Sequence, residues 1–194
     1  MRQGLQPVET MVFRLFRRDP QAATIAALYG VIVAQARNPA FYLAYGVPDT
    51  PEGRFDMVVL HLALLCVRLR REGAAAQTLT QGVFDMFCRD MDHNLREMGI
   101  SDVRVPKTMR KLAEAFYGRL DAYDRALASD GDEALMDVLS RNVLGGATDS
   151  APRLARYARA AAQKIATSPM TDVHAGRLTF PDPEKFPTSV EARS

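Results

Sequence analysis

Apolar residues recur along most of this chain at the three-to-four spacing of an amphipathic helix, and six stretches carry that period clearly. The first runs from Pro20 with the stripe Ile25, Leu28, Tyr29, Ile32 and Val33. Asp19 is placed to cap its start, and Asn38-Pro39 ends it, because the residue before a proline disfavours the helical region. Phe41 to Tyr45 reads as a short aromatic turn, and Gly46 to Pro51 as a constrained loop. The second helix, 51–71, carries two apolar stripes, one of Phe55, Val58, Val59, Leu62, Cys66 and Leu69, the other of Met57, Leu60, Leu64 and Val67. A helix apolar on two sides is expected between neighbours. The third, 75–98, has the stripe Phe84, Phe87, Met91, Leu95 and Met98 and stops at Gly99. The fourth, 106–128, opens at Pro106, and its face is Met109, Leu112, Phe116, Leu120, Tyr123 and Leu127. A fifth follows Ser129-Asp130-Gly131 and ends at Gly145-Gly146, and a sixth spans 151–167. No strand pattern or repeat interrupts them, so the expected class is all-α, a compact bundle of about six helices. The expected organisation is a flexible basic-aromatic segment over 1–19, a helical domain over 20–167, and an extended or disordered Pro-containing tail over 168–194.

Composition narrows the function classes. The chain has 194 residues, with 25 Lys+Arg against 23 Asp+Glu, so no global field draws it onto nucleic acid, and specific DNA binding is not expected. Cys66 and Cys88 sit among apolar residues and read as buried thiols of a reducing compartment. The longest apolar run, Met57 to Val67, is interrupted by His61 and is too short to span a bilayer. Met11 to Arg18 alternates large apolar and basic residues, which suits either an interfacial anchor or a locally packed end. Phosphate loops, dinucleotide fingerprints and nucleophile elbows are missing from the sequence, so neither a catalytic residue nor a cofactor is assigned. Asp90-Met91-Asp92-His93-Asn94 begins like a calcium loop, but Leu95 stands where its glycine belongs and Ser101 where its bidentate Glu belongs. On a helix Asp90 and Asp92 diverge, so no metal is assigned either.

The polar residues inside the helical pattern have two readings. Arg54, His61 and Arg68 recur every seven residues between the two apolar stripes of the second helix. In the structural reading Arg54 and His61 pair with Asp90 or Glu97 of the third helix and lock the packing. In the functional reading Asp90, Asp92, Arg96, Glu97 and Asp102 form an exposed charged rim. The alternating Asp85, Arg89, Asp92 and Arg96 also suit ordinary surface pairs along one helix.

Several blocks carry a resemblance. They are Gln35-Ala36-Arg37-Asn38-Pro39-Ala40-Phe41-Tyr42; Gly46-Val47-Pro48-Asp49-Thr50-Pro51-Glu52-Gly53-Arg54-Phe55-Asp56 with His61 beyond; Phe87 through Asp102; Val105-Pro106-Lys107; and Ala115-Phe116-Tyr117-Gly118-Arg119. In order and spacing these blocks resemble the ubiquinol–cytochrome c chaperone family, over residues 20–145. The resemblance implies a non-enzymatic assembly chaperone that binds newly made cytochrome b and supports biogenesis of the quinol–cytochrome c reductase complex. It further implies a small co-chaperone and the ribosome as candidate partners. The chain lacks the import extension of mitochondrial members, which implies a cytoplasmic protein with peripheral contact at the inner face of the membrane. Holding a membrane polypeptide calls for an apolar groove with a charged rim. Phe41, Tyr42 and Tyr45 with Phe84, Phe87 and Met91 are the candidate groove border, against the plainer reading that they are core. Asp49, Arg54, Asp90, Asp92, Arg96, Glu97, Asp102 and Lys107 are the candidate polar contacts. The competing function is a membrane-surface protein that binds lipid or quinone.

Overall fold

The structure is a computed structural model and describes residues 20–186. It is all-α, with no strand among the described residues. The helices are α1 (Pro20–Ala36), α2 (Pro39–Ala44), α3 (Pro51–Arg70), α4 (Ala74–Glu97), α5 (Val105–Ala128), α6 (Glu133–Asn142), α7 (Ala151–Thr167) and α8 (Met170–His174), followed by a 3₁₀ turn, Pro183–Lys185. All six expected helices are present. The expected aromatic turn is itself a helix, α2: the Asn38 side chain accepts from the Ala40 amide at 3.0 Å, and Pro39 sits in its first turn. The expected Asp19 cap and the Met11–Arg18 segment lie outside the described residues.

α3 organises the bundle. Thr50 caps it by accepting from the Gly53 amide at 3.1 Å, with Pro51 and Glu52 completing a favourable first turn. Gly53 has a packing reason: a Cβ there would stand 2.0 Å from the Pro48 carbonyl oxygen. From Met57 to Val67 every residue of α3 is buried, because α1, α4, α5 and α7 pack around it. The two apolar stripes of the sequence are thus one continuous apolar surface, met on all sides. α6 joins α5 to α7, and α4 packs on α1 and α5. After α7 the chain turns at Ser168-Pro169, forms α8 against α1, and runs back across the bundle to the 3₁₀ turn beside α2. We refer to 175–186 as the strap; Gly176, Leu178 and Pro183 are its buried residues.

Candidate functional site

A cleft of about 470 Å³ opens where the C-terminal end of α1, the first turns of α3 and the last turns of α4 meet. Its apolar lining is Val33, Phe55, Val58, Met91, Leu95, Met98 and Leu112. The charged groups are Arg37 from the end of α1, Glu52 and Arg54 from α3, and Asp90 and Glu97 from α4. The size falls within the range of ligand-binding cavities, and the pattern of apolar lining and charged edge suits a partly apolar ligand or segment.

Each charged group has a defined setting. Arg54 Nε donates to Asp49 Oδ1 at 2.7 Å, and the guanidinium lies over the Tyr42 ring, 5.6 Å from its centroid. The Tyr42 hydroxyl donates to the Ala36 carbonyl at 2.6 Å, fixing α2 to the end of α1 beside Arg37. Burial raises the Tyr42 pKa, and the charges of both Arg54 and Arg37 oppose the rise, so the two cations share one neighbourhood. On the other side, Tyr29 of α1 donates its hydroxyl to Asp90 Oδ2 at 2.7 Å. Desolvation and that bond to Asp90 push the Tyr29 pKa far up, so the proton stays on the phenol and Asp90 is the acceptor. Glu97 lies 3.0 Å from His93 and is exposed.

The expected lock between helices does not form. Arg54 pairs with Asp49, five residues earlier, and Asp90 pairs with Tyr29. His61 faces the other way, into α7. Its Nδ1 donates to the Met57 carbonyl at 2.7 Å, which leaves Nε2 to accept from the Tyr157 hydroxyl, also at 2.7 Å. Tyr157 in turn accepts from Gln35 Nε2 at 2.9 Å. Burial pushes the His61 pKa down to about 4, so the ring is neutral at pH 7. The row Arg54, His61, Arg68 is uniform in sequence but not in surroundings. At the level of His61 the helix is covered by α7 and the strap, while at Arg54 it projects past them.

The other candidate residues separate into two groups. Phe41 and Tyr45 have no exposed surface; they pack edge-on with Tyr157 around His61, at ring-centroid separations of 4.8 and 6.2 Å. Phe87 is fully buried and Phe84 nearly so, both against Phe116. These four rings are core, and only Phe87 reaches the cleft indirectly, from behind Phe55. Asp92, Arg96 and Asp102 form an exposed cluster at the α4–α5 turn, with Arg96 bridging the two carboxylates. That pairing holds Asp92 below the usual carboxylate range. The calcium-like run is helical, with Asp90 turned to Tyr29 and Asp92 to Arg96. Lys107 is exposed in the first turn of α5. Arg54, Asp90, Met91 and Glu97 are therefore the candidates the fold brings to one place, with Tyr42 and Asp49 supporting Arg54. Val33, Arg37, Glu52, Phe55, Val58, Leu95, Met98 and Leu112 also line the cleft and were not among the candidates. Leu95 and Met98 carried a signal, since they continue the apolar stripe of α4 beyond Phe87, its last buried residue.

The family profile described as Ubiquinol-cytochrome C chaperone matches residues 43–180. The match runs through α7 and into the strap, beyond the limit of 145 that the sequence blocks carried. The chain is 30% identical over 132 residues to Ubiquinol-cytochrome-c reductase complex assembly factor 1 of Xenopus laevis, covering 67% of this chain and 66% of that protein. It is 29% identical to the assembly factor of the same name in Mus musculus, over 60% of this chain and 40% of that protein. The chain thus spans about two thirds of the frog relative and about two fifths of the mouse one. Among solved structures, the crystal structure of the Cbp3 homolog from Brucella abortus superposes with a TM-score of 0.80 at 38% identity, covering 91% of this chain and 100% of that one. With the profile matched over well more than half of its length, from the end of α2 into the strap, the chain belongs to the ubiquinol–cytochrome c chaperone family.

Proposed function

We propose that this chain is an assembly chaperone of the ubiquinol–cytochrome c reductase complex, and that it holds newly made cytochrome b by reversible contact at the α1–α3–α4 cleft. Family membership supports the first part, since the frog and mouse relatives are named as assembly factors of that complex. The observation that carries the second part is the cleft itself. It combines an apolar lining with a rim of both charge signs, and it gathers four of the candidate residues, Arg54, Asp90, Met91 and Glu97, from the family-like sequence blocks. An unassembled membrane polypeptide offers apolar helix faces that water would otherwise meet, and a groove of this kind covers one without bond making or breaking. A photo-crosslinking amino acid at Leu95 tests the proposal during translation of cytochrome b. The expected result is an adduct with cytochrome b from Leu95 and none from Asp137, which is exposed on α6. Adducts from Asp137 and none from Leu95 would move the client surface elsewhere.

A further inference from the structure

The charges around the cleft are sorted by helix. Both cations, Arg37 and Arg54, come from the α1–α3 side, while both groups from α4, Asp90 and Glu97, are anions. Glu52, in the first turn of α3, is the one exception. Asp90 and Glu97 are seven residues apart on one continuous helix, so they stand about 10 Å apart along its axis. Met91, Leu95 and Met98 run beside them. Of these, Met98 is 61% exposed, so the apolar lining reaches the surface at the mouth of the cleft. Asp90 is held in place by Tyr29, and among the described residues Glu97 pairs with the exposed His93, so both carboxylates keep acceptor capacity. Arg37 makes no ion pair among the described residues.

We infer that the cleft selects a helix end with an apolar stripe edged on one side by Lys or Arg residues two turns apart, the basic edge lying along Asp90 and Glu97. This deepens the proposed function and rests on it. Ends of membrane-spanning helices on one side of a bilayer are enriched in Lys and Arg, so an unassembled membrane client supplies such segments. The bound helix then directs its opposite edge, or the carbonyl-rich C-terminal end that carries partial negative charge, toward Arg37 and Arg54. Met91 and Met98 allow the apolar contact to adapt to different side chains.

The test uses the full chain and two synthetic 18-residue helical peptides with the same Leu/Ala stripe. One is edged by Lys two turns apart, the other by Glu at the same positions. Fluorescence anisotropy at low salt reads their affinities. The lysine-edged peptide binds about threefold to tenfold more tightly, the scale of two exposed ion pairs. Glu97→Lys, an exposed position whose change leaves the core untouched, removes or inverts that preference, and Glu97→Gln reduces it. Equal binding of the two peptides, tighter binding of the glutamate-edged one, or a preference unaltered by Glu97→Lys overturns the inference. The Leu95 crosslink separates this outcome from failure of the proposed function. An adduct with cytochrome b and no charge preference leaves the chaperone reading standing without the charge rule. A charge preference without the adduct leaves a helix-end site whose client is another polypeptide.

Discussion

At the residue scale, His61 is the side chain whose chemistry depends most on the fold. In the unfolded chain it titrates near 6.5, and in the folded protein near about 4, because burial excludes the charged ring. A protonated ring would also turn Nε2 into a donor and take from the Tyr157 hydroxyl the acceptor of its own proton. The unfolded state therefore binds a proton that the folded state refuses. Stability is complete above the unfolded value and falls as pH drops from 6.5 toward 4, by up to about 1.4 kcal/mol per pH unit. Urea unfolding at a series of pH values from neutral to mildly acidic checks this. His61→Gln is expected to be less stable at neutral pH, yet to show a flatter decline through that window. An equal slope in both proteins would assign the acid sensitivity to other groups.

At the element scale, the far end of the strap is held to the bundle by side-chain hydrogen bonds and aromatic contacts rather than by a helix of any length. Gln35 Nε2 donates to the Pro181 carbonyl at 3.1 Å, Tyr45 to the Pro183 carbonyl at 2.5 Å, and Lys164 Nζ to the Phe180 carbonyl at 3.1 Å. Phe180 meets His61 edge-on at 4.9 Å, and Phe186 meets Tyr157 at 5.6 Å. Tyr45→Phe keeps the ring packing and leaves the Pro183 carbonyl with only the long 3.4 Å bond from the Phe186 amide, a cost of about 1 kcal/mol. Hydrogen exchange at the Lys185 and Phe186 amides, which close the final turn, is expected to quicken in that variant while the α3 amides stay protected. Unchanged exchange there would mean that the rings alone hold the strap. None of these contacts was legible in the sequence. The partners of Tyr45 lie more than a hundred residues away, and the tail's prolines report only what it cannot form. The helices were legible because their causes are local: Pro20, Pro51 and Pro106 mark starts, and stripes such as Phe116, Leu120 and Tyr123 mark faces. α2 was read as a turn because its six residues are too few to show a period.

At the scale of the whole molecule, the same lack of long-range information explains which site residues were found. Periodicity tells that Phe84, Phe87, Met91, Leu95 and Met98 share a face of α4, but not where the covering helix ends. The face is buried as far as Phe87, and beyond it Met91, Leu95 and Met98 line the cleft together with Leu112 of α5, so a single stripe passes from core to cleft lining. Arg54 was paired with the wrong partner for a related reason, since heptad spacing cannot show that α3 leaves its neighbours at its first turn. If the cleft holds the client as proposed, the division of the stripe separates stability from client capture. Phe87→Ala empties a fully buried position and is expected to cost about 3 to 5 kcal/mol. For a chain of this size that lowers the melting temperature by about 10 °C. Leu95→Ser, at a half-buried cleft position, costs less than about 1 kcal/mol. It is nevertheless expected to abolish most cytochrome b capture, because it places a hydroxyl in the middle of the apolar lining. Thermal denaturation and client pull-down on the two variants check the division. If Leu95→Ser melts normally and still captures cytochrome b, the lower half of α4 is ordinary surface and the client binds on another face. If it unfolds the protein as Phe87→Ala does, the stripe is core to its end and the cleft closes in solution.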